Sequence, residues 1–102
     1  MATSRSDLRA RLEEAAHEGG YPLLFCDGMD EAILGLVEHF GDQGREIRVL
    51  YDRARCIKIL ARDGGCSLEQ AEEFFDYNVA DAYVGPATPA FFTRPTASSG
   101  GA

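Results

Sequence analysis

The sequence predicts an α/β domain, a three-stranded sheet covered by four helices in the order α-β-α-β-α-α-β. Three observations predict it. Apolar residues recur at helical spacing after Asp27, after Asp52 and after Ser67. Residues alternate in Arg45-Glu46-Ile47-Arg48-Val49-Leu50-Tyr51, and short apolar runs stand at Tyr21–Cys26 and Thr88–Thr93. Glycines and capping residues mark the boundaries between these stretches. At 102 residues, with 45% apolar and 26% charged residues, the chain suits one folded domain.

Residues 4–18, SRSDLRARLEEAAHE, form the first predicted helix, with Ser4 or Ser6 as N-cap and Gly19-Gly20 as its stop. Its apolar face of Leu8, Leu12, Ala15 and Ala16 is thin, so it is expected at the periphery. Tyr21-Pro22-Leu23-Leu24-Phe25-Cys26 follows as a buried strand whose start tolerates proline. Asp27 then caps a second helix in which Met29, Ile33, Leu36, Val37 and Phe40 fall on one stripe, and Gly41 ends it. Gly35 lies opposite that stripe, where it costs about 1 kcal/mol relative to alanine.

Gly41-Asp42-Gln43-Gly44 reads as a turn into the strand 45–51, whose Ile47, Val49 and Tyr51 share a buried face. Asp52 caps a third helix, 53–63, with Cys56, Ile57 and Leu60 inward and Arg55, Lys58 and Arg62 outward. Gly64-Gly65 breaks it. Ser67 and Gln70 form a capping box that starts the fourth helix, expected over 68–84, with Leu68, Ala71, Phe75, Val79 and Ala82 aimed at the core. Gly85-Pro86 stops it, and Pro89 confines the last strand, 88–93, to a sheet edge. Residues 1–5 are expected to be flexible, 6–93 to form the globular unit and 94–102, RPTASSGGA, a disordered tail.

Several function classes lose support at once. No apolar run reaches the length of a membrane helix, and the first residues lack the apolar region of a secretory signal, so a cytoplasmic chain is expected. A net charge of −7 disfavours direct nucleic-acid binding. Cys26, Cys56 and Cys66 are odd in number and lack C-x-x-C spacing, which supports neither a disulfide framework nor a zinc site. His17 and His39 have no partner at a motif spacing. The glycine pairs are helix stops, unlike phosphate-binding loops. Asp27, Asp30 and Glu31 suit a helix's first turn better than a cation site. No catalytic residue, cofactor or metal is therefore assigned.

The fourth helix carries the only arguable surface. Phe74 and Tyr77 fall off its core stripe, Asn78 sits on the shoulder, and Asp81 lies on the acidic side. The plain role for Asn78 is a hydrogen bond to backbone around Gly85–Thr88. For the two rings, cover by the chain's own loops weighs evenly against contact with another molecule. Charge is also blocked: residues 63–93 hold six acids and no Lys or Arg, and residues 53–62 hold four bases and no acid. Two weakly attracting helix faces are the ordinary meaning of such blocks.

The segments Asp27–Gly35, Leu50-Tyr51-Asp52 and Glu69–Asn78, with Ala82–Gly85 and Thr88-Pro89, resemble a family of small bacterial and phage proteins with no assigned activity. The resemblance covers about residues 21–93, with Met29 where the family has an aromatic. It implies a discrete single domain and no catalytic residue.

The sequence therefore leads to the expectation of a small cytoplasmic, non-catalytic module, for which the resemblance alone implies a bacterial or phage origin. It would bind a protein partner or a second copy through Phe74, Tyr77, Asn78 and Asp81 and through Phe91 on the edge strand, with no direct nucleic-acid or membrane contact. The alternative is an acidic DNA mimic or anti-defence inhibitor of a nucleic-acid-binding enzyme, motivated by the acid-only run. A second alternative is a minor enzyme using Cys66 or Asp27 and Asp30.

Overall fold

A computed structural model describes residues 5–42, 44–80 and 85–95. Strands β1 (Ile33–Gly41) and β2 (Gly44–Asp52) form an antiparallel hairpin, and β3 (Ala90–Phe92) joins the other side of β2 in parallel. The central strand is β2, in the order β1-β2-β3. Helices α1 (Arg5–Gly19), α2 (Arg53–Gly64) and α3 (Leu68–Phe75) complete the domain. The expected three-stranded α/β sheet is present, and among the described residues three α-helices stand where four helices were expected. Among the described residues, no helix is long and apolar enough to cross a membrane.

Alternation along β2 sends Ile47, Val49 and Tyr51 to one buried face. Leu36 opposite Val49, and Ile33 and Phe91 opposite Tyr51, continue that face onto both neighbours. Cys56 and Ile59 of α2, Phe75 of α3, and Leu8 and Leu12 of α1 pack against it. Burial of each large apolar side chain there is worth about 1.5–3 kcal/mol. The opposite face, with Val37, Leu50 and Phe92, contributes nothing to this cluster.

The largest correction falls on residues 27–41. The expected second helix is a turn at Asp27-Gly28, one 3-10 turn at Asp30–Ala32, and the strand β1. The stripe of Met29, Ile33, Leu36, Val37 and Phe40 fits a helix numerically. A ladder with β2, reached through the tight turn at Asp42, stabilises the strand instead, and Ile33, Val37 and Phe40 favour it. Gly35 explains itself here: it follows the bulge between Ile33 and Gly35 and takes φ +153°, a value L side chains rarely adopt.

The expected strand 21–26 is also absent. That segment lies outside the sheet, tied down where the Cys26 N–H donates to the buried Tyr51 hydroxyl at 2.7 Å. The first predicted helix and the C-terminal elements fare better. The Asp52 carboxylate accepts from the N–H groups of Ala54 and Arg55 at 3.1 and 3.4 Å. Gly65 takes the left-handed φ of 66° that closes α2. The Ser67 hydroxyl and Gln70 amide form the capping box, each bond 3.1 Å. Regular α-helix ends at Phe75 and a π-helical turn, Asp76–Ala80, continues it. Residues 81–84 of the expected helix, including Asp81 and Ala82, and residues 96–102 of the expected tail lie outside the described residues.

Candidate interaction surface

Helices α2 and α3 form an antiparallel hairpin joined by Gly65-Cys66-Ser67. Arg53, the first residue of α2, reaches Glu72 at 3.2 Å and Asp76 at 2.8 Å, and its guanidinium lies 5.0 Å from the Phe75 ring centre. Arg62 at the other end holds Asp63 at 2.8 Å and Glu31 at 2.9 Å. The basic and acidic blocks thus meet partly across the hairpin. Among the described residues, three of the five acids in 63–93, namely Asp63, Glu72 and Asp76, have an arginine partner. Arg62 holds the carboxyls of Asp63 and Glu31 below the usual carboxylate range.

The predicted surface residues separate into groups. Phe74 is 52% exposed and Tyr77 82% exposed, so neither ring lies beneath the chain's own described loops. Phe74 walls an apolar groove of about 470 Å³ between the helices, with Leu60, Cys66 and Ala71 along it. Leu68, expected in the core, is exposed instead at the first turn of α3. Asn78 does not reach Gly85–Thr88: its side-chain N–H donates to the Phe74 carbonyl at 3.2 Å, one turn back. The Gly85 carbonyl accepts from the Thr88 hydroxyl at 2.6 Å.

Phe91 turns inward. Its ring meets Phe75 edge-on at 4.9 Å and Tyr51 at 5.8 Å, which fastens β3 to the core. Asn78 and Phe91 share a smaller cavity of about 280 Å³ with Leu24, Phe25, Val79 and Pro89, away from the Phe74 groove. Asp81 is outside the described residues.

The candidate catalytic and metal-binding groups do not converge on one site. Asp27 is exposed in the turn with Gly28, Asp30 belongs to an ion pair with Arg9 at 3.0 Å, Glu31 to the one with Arg62, and Cys66 sits exposed in the turn between α2 and α3. Among the described residues, no three of His, Cys, Asp and Glu gather as a metal would require. Cys56 is buried, and burial pushes its thiol up to about 12.

One exposed ring escaped sequence reasoning. Phe40 on β1 is 76% exposed, and it was hidden because the helical reading placed it in the core stripe. The available signal was the turn at Gly41–Gly44 next to a strand, which marks a hairpin whose tip carries Phe40 opposite Arg45. Comparison of the chain with protein-family models, with curated proteins and with solved structures finds no match in any of the three.

Proposed function

We propose that this protein is a small non-catalytic protein-binding module whose docking surface is the outer side of α3 and its π-helical continuation, centred on Phe74 and Tyr77. The observation that supports it is the bareness of those two rings on a folded helix and its continuation. Aromatic side chains are enriched at the centres of protein interfaces, and a groove beside one of them gives a partner side chain somewhere to enter. A partner protein or a second copy fits this chemistry, and a cytoplasmic setting belongs to the same proposal. The edge strand β3 adds less than its sequence suggested, because Phe91 is engaged with Phe75. The DNA-mimic alternative draws less support, since Asp63, Glu72 and Asp76 of its acid run are paired within the chain.

Affinity capture with the wild-type chain and with Tyr77→Ala tests the reading. A partner retained by the wild type and lost by a Tyr77→Ala chain of unchanged thermal stability supports it. An identical set of partners on both baits, with identical mass in solution, removes it.

A further inference from the structure

The two edges of the sheet differ in what they offer a neighbour. β3 presents three residues, preceded by Pro89, which lacks an N–H to donate. β1 presents nine, ILGLVEHFG, with no proline or lysine and Glu38 as its single formal charge. Natural edges are usually blunted by such residues. Among the described residues, no hydrogen bond from outside the β1–β2 ladder reaches the backbone of residues 34–41. Half of that strand's N–H and C=O groups face away from β2, as in any edge strand. Phe40 is bare, and Leu34, the bulge residue with no partner on β2, is 36% exposed.

We propose that β1 is a self-association strand. A second copy adds its own β1 antiparallel to this one, about a two-fold axis at Val37, and the two sheets become one sheet of six strands. This goes beyond the docking surface on α3 and uses none of its residues.

A second copy is the occupant because β1 complements itself in one register. A two-fold axis perpendicular to the sheet keeps each side chain on its own face, so only registers that oppose residues of like face are allowed. Centring on Val37 opposes Val37 to Val37, Leu36 to Glu38, Gly35 to His39 and Leu34 to Phe40. The last pair forms twice, so the two exposed apolar side chains of the strand cover each other at both ends. No like charges stand opposite. Centring on Glu38 would oppose two glutamates, centring on His39 would set Phe40 against Glu38, and centring on Leu36 would set Leu34 against Glu38 and carry Phe40 past the end of the strand, all poorer pairings. Strand addition of this kind draws affinity from main-chain hydrogen bonds and register from the side chains.

Sedimentation equilibrium of the full chain should give twice the chain mass at high micromolar concentration. Val37→Lys and Val37→Glu should each raise the dimer dissociation constant about tenfold or more, because like charges then meet at the axis. Mixing the two variants should restore a dimer. In the wild type, amides of residues 35–39 should exchange more slowly at high than at low protein concentration, a readout that needs no variant to fold. Tyr77→Ala should stay dimeric. A wild type that remains monomeric at millimolar concentration overturns the proposal, as do exchange rates at 35–39 that ignore concentration or a variant mixture that stays monomeric. A dimer lost in Tyr77→Ala but kept in Val37→Lys would move self-association to α3, sinking this inference while supporting the α3 reading.

Discussion

The two sides of β2 are held by different forces. On the β3 side the ladder is three residues long, and three rings, Tyr51, Phe75 and Phe91, interlock to keep it in place. On the β1 side the strand is nine residues long and eight of them pair with β2, and apart from the exposed bulge residue Leu34 side-chain burial fades along it: Ile33 is buried, Leu36 and Val37 half-buried, Glu38, His39 and Phe40 exposed. The large buried cluster therefore sits at one end of the hairpin, and Glu38, His39 and Phe40 in the distal half of β1 stand outside it with exposed side chains. A short strand can be fixed by what it buries, whereas a long one can extend beyond the core and keep its outer groups available.

The largest effect that would sharpen this contrast is Phe91→Ala. Full burial would put the cost near 3–5 kcal/mol, and a partly buried ring contacting Phe75 and Tyr51 should cost about 2–4 kcal/mol in urea unfolding. A cost below about 1 kcal/mol would mean that the ladder, and not the rings, holds β3. Alkali probes the same packed side. The buried Cys56 thiol keeps its proton up to about 12, while in the unfolded chain it titrates from its ordinary 9.0. Between those values the folded chain binds more protons, so this contribution to stability is complete below pH 9 and falls as pH rises towards 12. Each pH unit removes about 1.4 kcal/mol at most, on the order of 2 kcal/mol by pH 10.5. Urea midpoints at pH 8 and 10.5 should separate more in the wild type than in Cys56→Ala. Equal slopes would mean that the thiol is reached by solvent.

Gly35→Ala tests where the two regimes meet. An added Cβ meets nothing within 4 Å, so its cost is backbone strain at φ +153°, about 1–2 kcal/mol. A neutral outcome would show that the bulge relaxes freely. This glycine also marks the limit of what the sequence discloses. Asp52, Ser67-Gln70 and Gly65 act on backbone within a few residues of themselves, and all three were legible. Residues 29–40 carry a pattern that two periods can claim, and the deciding ladder partner, β2, lies beyond the window that periodicity reads. Gly35 in mid-run, β-branched Ile33 and Val37, and the turn after Gly41 were the signals on the strand's side. The α3 rings were legible because they fell off a helical stripe that is real through Phe75. Phe91 was misplaced at the surface because its contacts with Phe75 and Tyr51 are tertiary, and Asn78 because a bond within its own helix turn was available.

Phe40→Ala should have the smallest effect on the isolated chain and is the most informative about the bare side. A ring that is 76% exposed contributes little to folding, so in dilute solution the urea midpoint should move by no more than about 0.5 kcal/mol. The same substitution removes an apolar pair that forms twice across the proposed edge. Because association stabilises the folded state by mass action, the wild type should gain stability as concentration rises and Phe40→Ala should gain less. The two unfolding curves should thus coincide when dilute and part when concentrated. A loss above about 1 kcal/mol in dilute solution would mean that Phe40 packs on its own chain, and the distal half of β1 would then be held as the β3 side is.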